Sequence, residues 1–203
     1  MSADGGLPTL PGLIRGILTV ILLCSGAAGA RAQSTDEAAW AALAAGGHVA
    51  MIRHANAPGG GDPQGFDLAA CETQRNLDDR GRAQAAALGE ELRRRGIVVD
   101  RLLTSPWCRC RDTASLLGYG APEVEPALVN LVGGLGDRSA QVPAMRDLVA
   151  GWSGGGTLVL VSHGSTISAF TGIQPRSGEV LVLRPAPETD EGFALVGRIP
   201  PPS

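Results

Sequence analysis

Short apolar runs alternate along this chain with segments whose apolar residues recur every three to four positions. The runs at 48–52, 98–103, 157–161, 179–183 and 193–196 have strand length and end in glycine or polar clusters. A continuous apolar run of that length suits a strand covered on both faces, and 157–161 (Thr-Leu-Val-Leu-Val) is the clearest of the five. Between them, 35–45, 77–95, 108–117, 141–152 and 166–171 read as helices. The strongest is 77–95, where Ala83, Ala86, Ala87, Leu88 and Leu92 keep a helical period. Acidic residues open that helix, Arg93-Arg94-Arg95 close it and Gly96 follows, as the helix dipole and the C-terminal cap favour. Strands alternating with helices predict a single α/β domain with a mostly parallel sheet flanked by helices.

Composition narrows the chemistry. All 17 basic side chains of the 203 residues are arginine, which excludes a Schiff-base lysine and a lysine-bearing phosphate loop. Any anion must then be held by arginine, histidine, backbone N–H groups or a metal. The net charge of −3 argues against a nucleic-acid partner. The apolar run 17–23 follows Arg15 and leads to Ala30-Arg31-Ala32, the layout of a secretory leader. It is shorter than the roughly 20 residues of a membrane span. The expected organisation is a leader over 1–32 cleaved near Ala32, a domain over 33–199 and a loose tail over 200–203. Export to the periplasm or the medium follows, with no stable membrane insertion after cleavage. Cys71, Cys108 and Cys110 remain, and one disulfide from Cys71 to either Cys108 or Cys110 is expected, with a zinc site as the rival reading.

Two strand-like runs deliver histidines at their C-terminal ends: Val49-Ala50-Met51-Ile52 leads to Arg53-His54, and Leu158-Val159-Leu160-Val161 leads to Ser162-His163-Gly164. Ligands of open α/β sheets sit beyond those ends, so the two histidines are expected to share a site. A third strand ends at Thr104-Ser105-Pro106, with Arg109 one helical turn on. An arginine at the mouth of an apolar strand calls for a partner anion. His48, at the start of its strand, reads as packing. Arg93-Arg94-Arg95 reads as a solvated cluster. The glycine-rich stretches 59–61 and 133–136 lack the strand–helix context of a dinucleotide fingerprint, and Ser165 lies in no nucleophile elbow.

Arg53-His54-Ala55, Leu77-Asp78-Asp79-Arg80-Gly81-Arg82-Ala83-Gln84-Ala85, Ser105-Pro106-Trp107-Cys108-Arg109-Cys110-Arg111-Asp112-Thr113-Ala114 and Ser162-His163-Gly164 resemble, in order, four motifs of the histidine phosphatase (phosphoglycerate-mutase-like) superfamily, in its short SixA-like branch. The resemblance implies a three-layer phosphoglycerate-mutase-like domain. It also implies a phosphohydrolase that carries the phosphoryl group on His54. Arg53, Arg109 and a protonated His163 would stabilise the transferring group, with Arg75 as a further phosphate contact. It implies no cofactor and no metal, and a small phosphorylated substrate as partner; the oligomeric state is left open. Where many members place the acid that protonates the leaving group, this chain has Asn130. Asp137 and Asp62 are the candidate substitutes; without an acid, activated phosphates would be favoured over alkyl esters. A non-catalytic phosphate-binding module of the same fold, and a mutase, are the competing readings.

Overall fold

The computed structural model describes residues 1–2 and 27–203, the side chains of 27–35 excepted. The expected leader therefore lies largely outside the described residues. The strands are Val49–Arg53 (β1), Val99–Thr104 (β2), Glu123–Val124 (β3), Thr157–Ser162 (β4), Val180–Ala186 (β5) and Gly192–Ile199 (β6). The helices are Ala27–Ala45 (α1), Asp79–Arg94 (α2), Cys108–Leu116 (α3), Arg138–Ala150 (α4) and Gly164–Thr171 (α5), with single 3₁₀ turns at Cys71–Thr73 and Pro126–Leu128. One sheet runs in the order β3-β2-β4-β1-β5-β6. Its first four strands are parallel, and β5 and β6 add an antiparallel flank.

Side chains alternate across a strand, so each strand feeds two cores. Ala50, Ile52, Val159, Val161 and Val182 pack with Leu43 of α1, Leu88 and Leu92 of α2, and Ala114 of α3. Val49, Met51, Leu158, Leu160 and Leu181 pack on the other side with Met145 and Val149 of α4 and Ile167 of α5. The result is three layers around a mixed, mostly parallel sheet.

Boundaries differ from the pattern where hydrogen bonding rather than hydrophobicity sets them. Helix α4 starts at Arg138, three residues before its apolar face, because the Asp137 side chain caps it by accepting from the Ser139 N–H. Strands β5 and β6 outrun their apolar centres because they pair with each other along a hairpin. Strand β3 has two exposed residues and no periodic signal. The terminal residues pack rather than trail, with the Pro202 carbonyl accepting from Gln84 Nε2 at 3.3 Å.

Of the two pairings open to Cys71, the fold makes Cys71–Cys108, with Cα atoms 5.7 Å apart, and leaves Cys110 as a buried free thiol. Two of the three sulfurs of the rival zinc set are thereby consumed. The bridge fastens the long segment after β1 to the first residue of α3 across 37 residues of sequence. Removing it by a Cys71→Ser/Cys108→Ser pair is expected to lower the unfolding free energy by about 3–4 kcal/mol. Urea melts of the two proteins measure this, and coincident midpoints would contradict it.

Candidate active site

β1 and β4 are parallel neighbours, and their last residues, Arg53 and Ser162, are in register. From that edge the chain leaves toward opposite faces: the segment after β1 runs to α2, whereas β4 passes directly into α5. A crevice opens at such a reversal. The His54 N–H donates to the Ser162 carbonyl at 2.9 Å, and the rings of His54 and His163 lie 5.6 Å apart, edge to face. Both line a cavity of about 310 Å³ together with Arg53, Arg75, Arg109 and Asp62. A larger, more open groove of about 770 Å³ lies between α1, α2 and the C-terminal residues. It carries Asp36, Glu37 and Glu91 and no histidine, so it offers an anion nothing comparable.

Both histidines are neutral. His54 Nδ1 lies 2.9 Å from the Ala55 carbonyl, which can only accept, so Nδ1 carries the proton and Nε2 keeps its lone pair. Burial pushes the His54 pKa down to about 3; the Ala55 bond opposes this, and the charges of Arg109, Arg75 and Arg53 add to it. His163 faces Arg109 Nη2 with Nδ1 at 3.4 Å and Ser105 Oγ with Nε2 at 2.8 Å. A guanidinium only donates, so Nδ1 accepts and Nε2–H donates to Ser105. Burial, then His54 and the three arginines, hold His163 well below its ordinary pKa. Without an anion in the cavity His163 is therefore neutral, because a fourth cation is unfavourable beside three guanidinium groups.

Arg109 is 1% exposed. Its Nη1 and Nη2 donate to the two Asp62 carboxylate oxygens at 2.7 and 3.1 Å. Trp107 Nε1 and the Arg75 N–H donate to the same carboxylate at 3.1 and 3.0 Å. Burial alone would raise the Asp62 pKa, but these bonds prevail and lower it. Asp62, expected as a possible acid, is therefore a clamped carboxylate that holds Arg109 and has no proton to give. Asp137, the other candidate, is exposed and lies outside the cavity, its carboxylate engaged by the Ser139 N–H and Oγ at 2.8 and 2.6 Å. Asn130 does line the cavity, and its Oδ1 accepts from Ser165 Oγ at 2.8 Å.

The arginines remain incompletely paired. Arg53 Nη1 donates to the Pro175 carbonyl at 2.9 Å, and Arg75 Nη1 to that of Ala57. Yet the Nε atoms of Arg53, Arg75 and Arg109 are all buried without a partner. Unmet buried donors are costly, and three of them around one cavity call for an anion with several acceptor oxygens. Gly164, the first residue of α5, permits the close approach: a Cβ there would lie 2.6 Å from Gln174 Nε2 and 3.3 Å from Arg53 Nε.

Several supports were invisible in the pattern. Thr113, one turn beyond Arg109, accepts from the Ala55 N–H at 3.0 Å and donates to the Arg109 carbonyl at 2.7 Å, locking the end of β1 to α3. Gln74 Oε1 accepts from the Cys108 N–H at 3.0 Å. Trp107 is wholly buried, edge-on to His163 at 5.0 Å. Thr113 and Ser105 fall inside the quoted motifs, so a polar residue at a fixed helical offset from Arg109 was the available signal. His48 keeps its packing role, with Nδ1 at 2.6 Å from the Gly46 carbonyl. The described residues contain no cluster of three metal-ligating side chains.

The protein histidine phosphatase SixA complexed with tungstate has this fold, at 17% identity over 75% of this chain and 96% of that one, with a TM-score of 0.55. The native mycobacterial glucosyl-3-phosphoglycerate phosphatase aligns at 20% identity over 73% of this chain and 95% of that one, with a TM-score of 0.52. No curated protein sequence matches the chain. Residues 49–134 match the histidine phosphatase superfamily (branch 1), a stretch that carries Arg53, His54, Asp62, Arg75 and Arg109. Over that match, 86 of the 203 residues, the chain is similar to the histidine phosphatase superfamily.

Proposed function

We propose that this phosphatase hydrolyses a small, activated phosphate through a covalent phosphohistidine on His54, without a metal or organic cofactor. The single observation that carries the reading is the placement of a neutral His54, with its lone pair on Nε2, among three guanidinium groups whose Nε atoms are buried without a partner. The Nε2 lone pair attacks phosphorus, an N–P bond forms, and the bond to the leaving group breaks with its electron pair going to the departing atom. Water then attacks phosphorus and gives up a proton to solvent, the N–P bond breaks, inorganic phosphate leaves and the His54 lone pair is restored. In each step charge is spread over the equatorial oxygens, where Arg53, Arg109 and Arg75 stand to meet it. His163 offers a further contact, and a phosphoryl dianion beside it favours its protonated form.

The restriction to activated phosphates follows from the acid. Asp62 is the one carboxylate among the described residues that line the cavity, and its proton is already lost. A leaving group must then depart with little help, as a phosphoramidate, a phosphoanhydride or an acidic phenol does. The same feature favours a second reading, a phosphate-binding module without turnover. Export is part of the proposal; what supports it is the leader-like pattern of 1–32 and a disulfide of the kind that persists in oxidising compartments.

Incubation with para-nitrophenyl phosphate separates the two readings. The proposal expects turnover that His54→Ala abolishes, and acid-labile, base-stable phosphate on the wild-type chain; turnover undiminished in His54→Ala would sink it. Asp62→Asn is expected to lower kcat/KM about 100-fold by releasing Arg109, an order typical of lost transition-state contacts. That factor should be the same for para-nitrophenyl and phenyl phosphate, whereas a general-acid role would make it grow with leaving-group basicity. The pH profile gives a third test. A nucleophile is lost on protonation, so a pKa of about 3 leaves His54 competent throughout the neutral and mildly acidic range. With the dianion fraction of the substrate factored out, kcat/KM should stay level from pH 7.5 to about 5. A midpoint near the ordinary histidine value of about 6.5 would contradict the buried, neutral assignment.

A further inference from the structure

A second cavity, of about 400 Å³, adjoins the first and shares Ser165 and Gln174 with it. Leu131, Gly136, Arg138 and Ser168 are among its other walls. A compound with its phosphoryl group beside His54 therefore has this space open to the portion it leaves behind. The chemistry of the space is polar and cationic. Two hydroxyls and one amide surround it, and no carboxylate lines it. Arg138, the first residue of α4, is exposed and makes no hydrogen bond or ion pair among the described residues. The nearest acidic neighbour in sequence, Asp137, is occupied in capping α4. Of the groups a leaving portion can carry, an anion suits this lining best, because an unpaired guanidinium binds carboxylate or phosphate oxygens through two parallel bonds.

We infer that the substrate carries a second anionic group, a carboxylate or phosphate on its leaving portion, which Arg138 binds with Ser165, Ser168 and Gln174 around it. This rests on the proposed phosphatase reading for which side of the substrate faces the second cavity, and it adds a substrate class to that reading. The site selects phosphates whose leaving portion is anionic over those whose leaving portion is neutral.

The test compares meta-carboxyphenyl phosphate with phenyl phosphate, leaving phenols of similar basicity, in wild type, Arg138→Ala and Arg138→Glu. The wild type should prefer the carboxylated ester in kcat/KM. Arg138→Ala should cut that preference by about fivefold, the order of a partly exposed ion pair, and Arg138→Glu should reverse it. Each variant's rate on phenyl phosphate serves as its own control for folding. The two matching phosphonates, which cannot be hydrolysed, are titrated calorimetrically in parallel. No wild-type preference in either assay, or a preference indifferent to Arg138, overturns the inference. Selective phosphonate binding that depends on Arg138, with no turnover of any ester, keeps the inference and removes the phosphatase reading instead.

Discussion

Arg109 is buried to the last percent at the centre of the site, and a guanidinium in that position must be paired or the fold bears an uncompensated charge. Asp62 supplies the pairing, two oxygens against two nitrogens, and it arrives from the long segment after β1. Much of the irregular structure serves to bring it there. The Cys71–Cys108 bridge and the bond from the Cys108 N–H to Gln74 fasten that segment to α3. Trp107 and the Arg75 N–H then fix the second side of the carboxylate. Removing one member of a buried pair typically costs about 3–5 kcal/mol, so the clamp binds stability and site geometry together.

The clamp uses one carboxylate against three arginines. The imbalance leaves a net positive cavity, and that charge has two effects with opposite signs for function. It attracts phosphate oxygens, and it adds to burial, the larger cause, in suppressing protonation of both histidines. Suppression suits His54, whose proposed role needs a lone pair. For His163 the proposed mechanism then has positive charge accompany the arrival of a dianion instead of preceding it. A site that is cationic through arginine and neutral through histidine would keep the proposed nucleophile available without weakening its hold on an anion.

Legibility in the sequence followed the physical range of each signal. Strand order along the chain, the α/β class and the four motifs were legible because apolar periodicity and short-range patterns are local. His54, Arg53, Arg109 and His163 were expected in one place because strand ends are predictable positions, and the structure gathers them there. The acidic residues were not legible. Asp137 lies in a glycine-rich loop and resembles a free carboxylate in sequence, yet it is used as a helix cap. Asp62 resembles a loop aspartate as well, and only its contact with Arg109, across 47 residues, turns it into an anchor. The choice of Cys108 over Cys110 was equally closed to sequence, since both are near enough in the chain and only the way each side chain leaves α3 separates them.

By itself the sequence determined the alternation of strands and helices, the arginine-only cation supply and the residues delivered at two strand ends, because each depends on neighbours a few positions apart. The tertiary structure decided that β1 and β4 lie side by side, that Asp62 is spent on Arg109, and that burial keeps both histidines neutral. Those outcomes depend on desolvation and on charges brought together from distant segments, quantities that come into being only when the chain has folded.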